Sequence, residues 1–258
     1  AAPAVVSSTF GCFSEAEIAQ LHTVGSEAWA TVTSPAEIAE AQRRGVDGVI
    51  VQGPRAGGHR GTWSQHNEPD QRALEALLTL VNGPVIAAGG VRGPEDVARA
   101  GVPVACGTAF LLADEAGTSP RNRELLRSDA PAVVTRAFSG RWASGVETAF
   151  TRAHPDLPPT YPYLRPMTST NDYCLVGADR GDRRVGAGEQ ALQGAVGHRH
   201  AVVLAEAAAE GGGGDQAGEG GEAAHGVSPW GSGWVRLHGC RAAASTEVNG
   251  GHGRYRGR

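Results

Sequence analysis

Apolar, strand-like runs alternate with amphipathic helical stretches from about residue 4 to residue 112 of the chain. The runs are rich in β-branched and small apolar residues, which is typical of strands that are buried on both faces. Strands are predicted over residues 5–10, 29–33, 46–51, 84–88 and 102–106. Because parallel neighbours must be joined by a crossover, this alternation predicts βαβ units and a parallel sheet in an α/β fold.

The helical stretches carry recognisable start and stop signals. Helices are predicted over residues 14–22, 36–44, 70–80 and 95–100. Ser14 is a candidate N-cap of the first helix. Ser34 followed by Pro35 predicts the N-cap and first residue of the second helix, and Gly45 predicts its end. Pro103 falls inside the fifth predicted strand, where a proline removes one backbone donor from the ladder.

A glycine-rich loop with a single histidine follows the third predicted strand. It reads Gln52-Gly-Pro-Arg-Ala-Gly-Gly-His59-Arg-Gly61. Glycines allow positive φ and a close approach of the backbone to a ligand, and α/β proteins place their chemistry at the carboxyl ends of strands. The loop therefore predicts that the His59 side chain is a proton-transfer group held over a ligand. A surface hairpin with a solvated histidine is the alternative.

Two later strand ends carry further glycines. Gly89 and Gly90 follow the fourth strand, and Gly107 and Thr108 follow the fifth. In a (β/α)8 barrel the loops after the last two strands commonly bind phosphate, and backbone amides with a Thr hydroxyl suit that ligand. A Gly-Gly pair alone is more typical of a turn. Two such ends after a histidine-bearing loop predict a phosphorylated cofactor or substrate.

Composition narrows the class of partner. A net charge of −4 and a pI near 6.2 give no support for a nucleic-acid or anionic-membrane partner. No apolar run reaches the roughly 20 residues needed to span a bilayer, and the N-terminus lacks the basic region of a signal peptide. The 4 cysteines lie far apart without a C-x-x-C pair, which suggests neither a zinc site nor a disulfide framework. We therefore expect a cytoplasmic protein that holds no metal.

The composition changes after about residue 168, and more than half of the 38 glycines lie beyond that point. Such a segment cannot bury enough apolar surface to offset a backbone ordering cost of roughly 1–2 kcal/mol per residue. We therefore predict one domain over residues 1–168. Residues 169–258 are predicted to be a low-complexity tail that is disordered or translated out of frame. Within this tail, residues 187–210 suit a helix.

Five motifs run in order along the chain: residues 46–61, the strand end 86–90, and the segments 106–118, 133–141 and 158–162. This ordered set resembles the nitronate monooxygenases, the flavin enzymes formerly called 2-nitropropane dioxygenases. The resemblance covers roughly residues 4–168. It implies an FMN-dependent TIM barrel that oxidises alkyl nitronates or nitroalkanes with O2, giving a carbonyl compound and nitrite.

The resemblance also implies roles for individual residues. His59 would be the catalytic base at the substrate side of the flavin, a role that suits an imidazole with a pKa of about 6.5. Gln52 could offer a donor and an acceptor to the edge of the flavin ring. The residues implied to contact the flavin or its phosphate are Gln52, Gly57, Gly58, Gly89, Gly90, Ala105, Cys106, Gly107 and Thr108.

Compared with the family, about three βα units ahead of the strand at Val5 are missing. The resemblance thus implies a partial TIM barrel of about five parallel βα units, followed by the Gly/Ala-rich tail. Two alternatives stay open, namely an FMN-dependent barrel that reduces enoyl thioesters and an inactive, non-enzymatic fragment. The sequence does not specify which nitronate is oxidised or how many chains assemble.

Overall fold

The computed structural model describes residues 2–113, 116–159 and 173–178, together with the backbone of residues 201–203. Along the chain the strands are β1 (Val5–Ser8), β2 (Glu27–Val32), β3 (Gly48–Gln52), β4 (Gly58–His59), β5 (Val85–Ala88), β6 (Val104–Cys106), β7 (Ala132–Thr135), β8 (Ala143–Val146) and β9 (Ala201–Val203). The helices are α1 (Glu15–Thr23), α2 (Pro35–Arg44), α3 (Leu74–Leu78), α4 (Pro94–Ala100), α5 (Pro120–Arg127) and α6 (Ala149–Ala153).

A parallel sheet forms the body of the described chain. Its strand order is β1-β2-β3-β5-β6, and β9 pairs with the other side of β6. All of these neighbouring pairs are parallel. A helix lies in each connection between the first five of these strands along the chain. The five predicted strands and the partial α/β barrel are therefore confirmed.

The second helix shows how local sequence sets its bounds. The Ser34 hydroxyl accepts a hydrogen bond from the Glu37 N–H at 3.3 Å, and Pro35 is the first helical residue. Gly45 ends the helix with φ 82°, a left-handed conformation that glycine adopts without steric cost. Ser14 likewise caps α1 in a capping box with Glu17, so its predicted role as the N-cap is confirmed.

Two local predictions need correction. Within the helix predicted over residues 70–80, only α3 (Leu74–Leu78) is helical. The Asp70 carboxylate accepts the Arg72 N–H at 2.8 Å, and such a local turn competes with helix initiation. Pro103 lies before β6 rather than inside it, so it removes no ladder donor. Its carbonyl instead accepts the Ala87 N–H at 2.8 Å.

The short strand β9 corrects the helix predicted over residues 187–210. Ala201–Val203 are extended and pair in register with Val104–Cys106 of β6. A neighbouring strand supplies hydrogen-bond partners that the local sequence does not reveal, and this pairing overrides helical spacing. The rest of that predicted helix, like most of the predicted tail, lies outside the described residues.

A second, antiparallel sheet is absent from the sequence prediction. Its strand order is β4-β8-β7. Gly58 and His59 of β4 pair with Ser144 and Ala143 of β8. His59 therefore lies in a strand, not in the open loop that its glycine-rich surroundings indicate. This pairing brings the β7–β8 hairpin, distant in sequence, to the histidine.

Buried apolar clusters join the helices to both sheets. In the parallel sheet, Val32 and Val49 pack against Ile38 of α2 and Leu77 of α3. Burying one such side chain contributes about 1.5–3 kcal/mol. Next to the second sheet, the buried residues are Leu125, Leu126, Val146, Cys174 and Val176. None of the helices in the described ranges is long and apolar enough to cross a membrane.

Candidate active site

The loops that follow β3, β5 and β6 meet at the carboxyl edge of the parallel sheet. A Cβ placed on Gly89 would lie 2.8 Å from Ala56 N in the β3 loop. A Cβ placed on Gly57 would lie 2.8 Å from Thr108 Oγ1, after β6. Only glycine permits these approaches, because real Cβ atoms do not come so close to backbone or fixed side-chain atoms. The structure thus brings together glycines from all three predicted strand ends.

A segment from beyond residue 168 completes this meeting of loops. The Gly177 N–H donates a hydrogen bond to Thr108 Oγ1 at 3.0 Å, and the Ala178 N–H donates to the Arg55 carbonyl at 3.3 Å. A Cβ on Gly57 would lie only 2.6 Å from Gly177 N. The Thr108 hydroxyl is therefore already an acceptor here, although its own hydrogen can still be donated to a ligand. Sequence reasoning missed Gly177, because the surrounding composition suggests a tail.

The predicted phosphate-binding residues do not all line one cavity. Gly89 and Gly90 both have positive φ and border a cavity of about 150 Å³. The charged side chains around this cavity are those of Arg55, Glu75, Arg92, Asp96 and Arg99. Three of these side chains are arginines and two are carboxylates, so the cavity lining carries an excess of positive charge. Asp96 pairs with both Arg92 and Arg99.

The remaining predicted residues lie at the end of β6, outside that cavity. Ala105 is buried in the strand, Cys106 is half-buried and Gly107 is exposed. Burial, with a smaller contribution from Asp96, raises the pKa of the Cys106 thiol to about 11. A thiol that is protonated at neutral pH is a poor nucleophile.

His59 is surrounded by residues from two distant parts of the chain. Its Nε2 atom lies 2.7 Å from Ser139 Oγ in the β7–β8 connection. Its ring meets the Phe10 ring edge-to-face, with 6.3 Å between the centroids. The Arg141 guanidinium in turn covers Phe10 at 4.0 Å from the ring centroid. Its Nη2 donates to the Thr62 carbonyl.

This environment keeps the His59 imidazole neutral. Burial, followed by the positive charge of Arg141, lowers the pKa of His59 to about 4. A half-buried imidazolium loses part of its hydration and is repelled by the guanidinium, so the uncharged form dominates at neutral pH. A neutral imidazole has a ring nitrogen with a lone pair, which is the form that a general base requires.

Gln52 contacts the histidine strand instead of an open cavity. Its Nε2 donates to the His59 carbonyl at 3.1 Å, and its Oε1 accepts the Gly61 N–H at 2.8 Å. The amide has one further hydrogen and further lone pairs, so these bonds leave it able to contact a ligand. Its geometric role in this structure is to fix the backbone on both sides of the catalytic candidate.

Phe10 is a site residue that sequence reasoning missed. It has φ 70°, the single positive φ among the described non-glycine residues. A bulky side chain in this region is strained, and such strain clusters at functional sites. The preceding strand β1 and the contacts with His59 and Arg141 hold it there. The available signal is Gly11, which follows Phe10 directly at the end of the first predicted strand.

A parallel partial barrel whose strand-end loops meet beside a half-buried, neutral imidazole defines an α/β-barrel protein with its site at the carboxyl edge. Within that class, the chain belongs to the nitronate monooxygenase family. The family model, described as nitronate monooxygenase, matches residues 1–217. The match extends past residue 168 and includes the segment that contacts Thr108.

Individual relatives agree with this assignment. The chain is 34% identical to nitronate monooxygenase from Pseudomonas aeruginosa, over 64% of this chain and 51% of the relative. It is 36% identical to that of Paraburkholderia phytofirmans, over 62% and 48%. A solved nitroalkane oxidase from Streptomyces ansochromogenes is 35% identical with a TM-score of 0.57, covering 62% of this chain and 50% of that one. The chain thus spans about half the length of the relatives it matches.

Proposed function

We propose that this chain carries the base-bearing part of an FMN-dependent site that oxidises alkyl nitronates and nitroalkanes with O2 to a carbonyl compound and nitrite. The observation that carries this proposal is the half-buried, neutral imidazole of His59. It follows directly on Gly57 and Gly58, and Gly57 contacts Thr108 of the glycine-lined strand ends. Membership of the nitronate monooxygenase family supports the same chemistry.

The described residues suit the phosphoryl end of FMN. Gly89 and Gly90 present backbone to a cavity with excess positive charge, and Thr108 retains a hydroxyl hydrogen to donate. The cavity of about 150 Å³ is smaller than the roughly 300 Å³ at the lower end of cofactor sites, so it accommodates only part of the flavin. When bound, FMN would supply the acceptor for the electrons of the oxidation.

The chain's own residues would handle the proton and the substrate charge. For a nitroalkane, a ring nitrogen of His59 accepts the proton from the carbon that bears the nitro group, and the C–H electrons pass into the nitronate. The positive charge of Arg141 disfavours the imidazolium, so the half-exposed His59 releases this proton to solvent water after the nitronate has formed. The same charge attracts a nitronate, which is an anion.

The proposal is tested with the purified chain after addition of FMN. We expect flavin absorbance bands in the retained protein, and nitrite release from an added alkyl nitronate or nitroalkane. His59→Asn should keep the flavin and lose most nitroalkane turnover. His66→Asn, on an exposed part of the chain, is the matched control and should match the unmodified protein.

Two results would overturn the proposal. A colourless preparation that retains no FMN would support an inactive fragment instead. Flavin binding with NAD(P)H oxidation on an enoyl thioester, but no nitrite from nitronates, would support a reductase.

A further inference from the structure

Ser139 and His59 are 80 positions apart in the sequence but share a hydrogen bond of 2.7 Å between Oγ and Nε2. Ser139 is 3% exposed. Its hydroxyl is thus a buried polar group within reach of the ring nitrogen of the catalytic candidate. Buried hydroxyls are costly without a partner, so this contact is a specific feature of the fold.

Backbone pairing fixes both partners of this contact. The Arg60 N–H donates to the Trp142 carbonyl at 2.8 Å, which extends the pairing of β4 with β8 past His59. On the other side, the Gly140 N–H donates to the Arg136 carbonyl at 2.8 Å, and Arg136 Nε donates to the Gly140 carbonyl at 2.9 Å. Ser139 lies inside this closed turn, so its hydroxyl is presented to the imidazole from a rigid support.

We propose that Ser139 is a positioning residue that keeps the His59 ring in one orientation before and after it takes up a proton. The proposal rests on His59 being the base of the function proposed above. A serine hydroxyl both donates and accepts, so it can bond Nε2 with or without its hydrogen. A methyl group in its place would leave one ring nitrogen without this partner, and the ring would sample other orientations.

Another serine in the same hairpin provides a matched control. Ser144 is 1% exposed, lies in β8, and its Oγ has no hydrogen-bond partner among the described residues. Replacing it by alanine removes the same atom from the same hairpin without removing a hydrogen bond among the described residues. Any effect of Ser139→Ala that Ser144→Ala lacks is therefore caused by the contact with His59 and not by a general loosening of the hairpin.

The first readout is nitrogen NMR of the His ring atoms, which needs neither flavin nor turnover. The His59 signals are assigned by their loss in His59→Asn. We expect Ser139→Ala to change the Nε2 shift of His59 and its titration with pH. Ser144→Ala should leave both unchanged. An unchanged His59 spectrum in Ser139→Ala would overturn the proposal.

The second readout is steady-state kinetics with a nitroalkane. We expect Ser139→Ala to lower kcat about tenfold, the order expected for one lost positioning hydrogen bond, with KM changed less than about twofold. Ser139→Thr keeps the hydroxyl and should restore kcat; equal loss in both variants would count against the positioning role.

The two proposals fail separately. If His59→Asn keeps full turnover, the base assignment fails even where NMR confirms the contact. If His59 is essential but Ser139→Ala changes neither the spectrum nor kcat, only the role of Ser139 fails.

Discussion

Gln52, at the end of β3 in the parallel sheet, holds the backbone of His59 in β4 of the second sheet. Its Nε2 donates to the His59 carbonyl at 3.1 Å, while its Oε1 accepts the Gly61 N–H at 2.8 Å. One side-chain amide thus bridges the strand that carries the candidate base and the glycine that follows it. Because β3 is a central strand, the histidine is tied to the middle of the parallel sheet.

Gln52→Ala should therefore destabilise the fold as well as the site. The substitution leaves the His59 carbonyl and the Gly61 N–H without their partner, at a cost of about 2–3 kcal/mol. Urea denaturation monitored by circular dichroism measures this loss in the free energy of unfolding. Gln20→Ala, at an exposed position of α1, should change the free energy of unfolding by less than about 0.5 kcal/mol. Equal stability of the two variants would contradict a structural role for the amide.

Gly57→Ala should displace the segment over residues 173–178. The new Cβ would lie 2.6 Å from Gly177 N and 2.8 Å from Thr108 Oγ1, so one of these groups must move. Limited proteolysis should then cleave near this segment faster than in the unmodified chain. The control is Gly117→Ala, where a Cβ would meet nothing within 4 Å. Unchanged cleavage in Gly57→Ala would show that the close packing is absent in solution.

The stability of the fold should fall at mildly acidic pH because of His59. Its pKa is lowered from 6.5 to about 4 in the folded chain. Between these values the unfolded chain binds a proton here and the folded chain does not, so stability is lost as pH falls from about 6.5 to about 4. The full effect is about 3 kcal/mol.

Comparison with His59→Asn isolates this contribution, since the other titrating groups are shared. As pH falls from 7 to 4, the free energy of unfolding of the unmodified chain should fall relative to that of His59→Asn. A difference that does not change with pH would show that folding does not lower the pKa of His59.

Glu37→Gln should weaken the second βα unit. The carboxylate accepts the Thr33 N–H at 2.6 Å, the Thr33 hydroxyl at 2.8 Å and the Trp63 N–H at 2.8 Å, and it is buried. An amide can accept at one end only, so at least one donor loses its partner, at a cost of about 2 kcal/mol. Calorimetric unfolding measures the loss. Glu124→Gln, at an exposed pair with Arg121, should cost less than about 0.5 kcal/mol. Similar melting temperatures for both would contradict the assigned hydrogen bonds.

Local sequence signals made the bounds of α2 predictable. Ser34, Pro35 and Gly45 act within their own turn of chain, so their effect on α2 can be read without neighbours. The pairing of Ala201–Val203 with β6 depends on a strand far away in the sequence, which is why helical spacing misled there.

The same distinction between local signals and contacts of distant segments applies to the candidate site. By itself, the sequence determined the five strands, the glycines at their carboxyl ends and His59 as the base candidate, because strand periodicity and glycine-rich loops are local signals. Only the tertiary structure decided that Ser139, Arg141 and Phe10 surround that imidazole and that Gly177 lies against Thr108. These contacts arise from strand pairing and burial between distant segments, and burial beside a guanidinium sets the charge of His59.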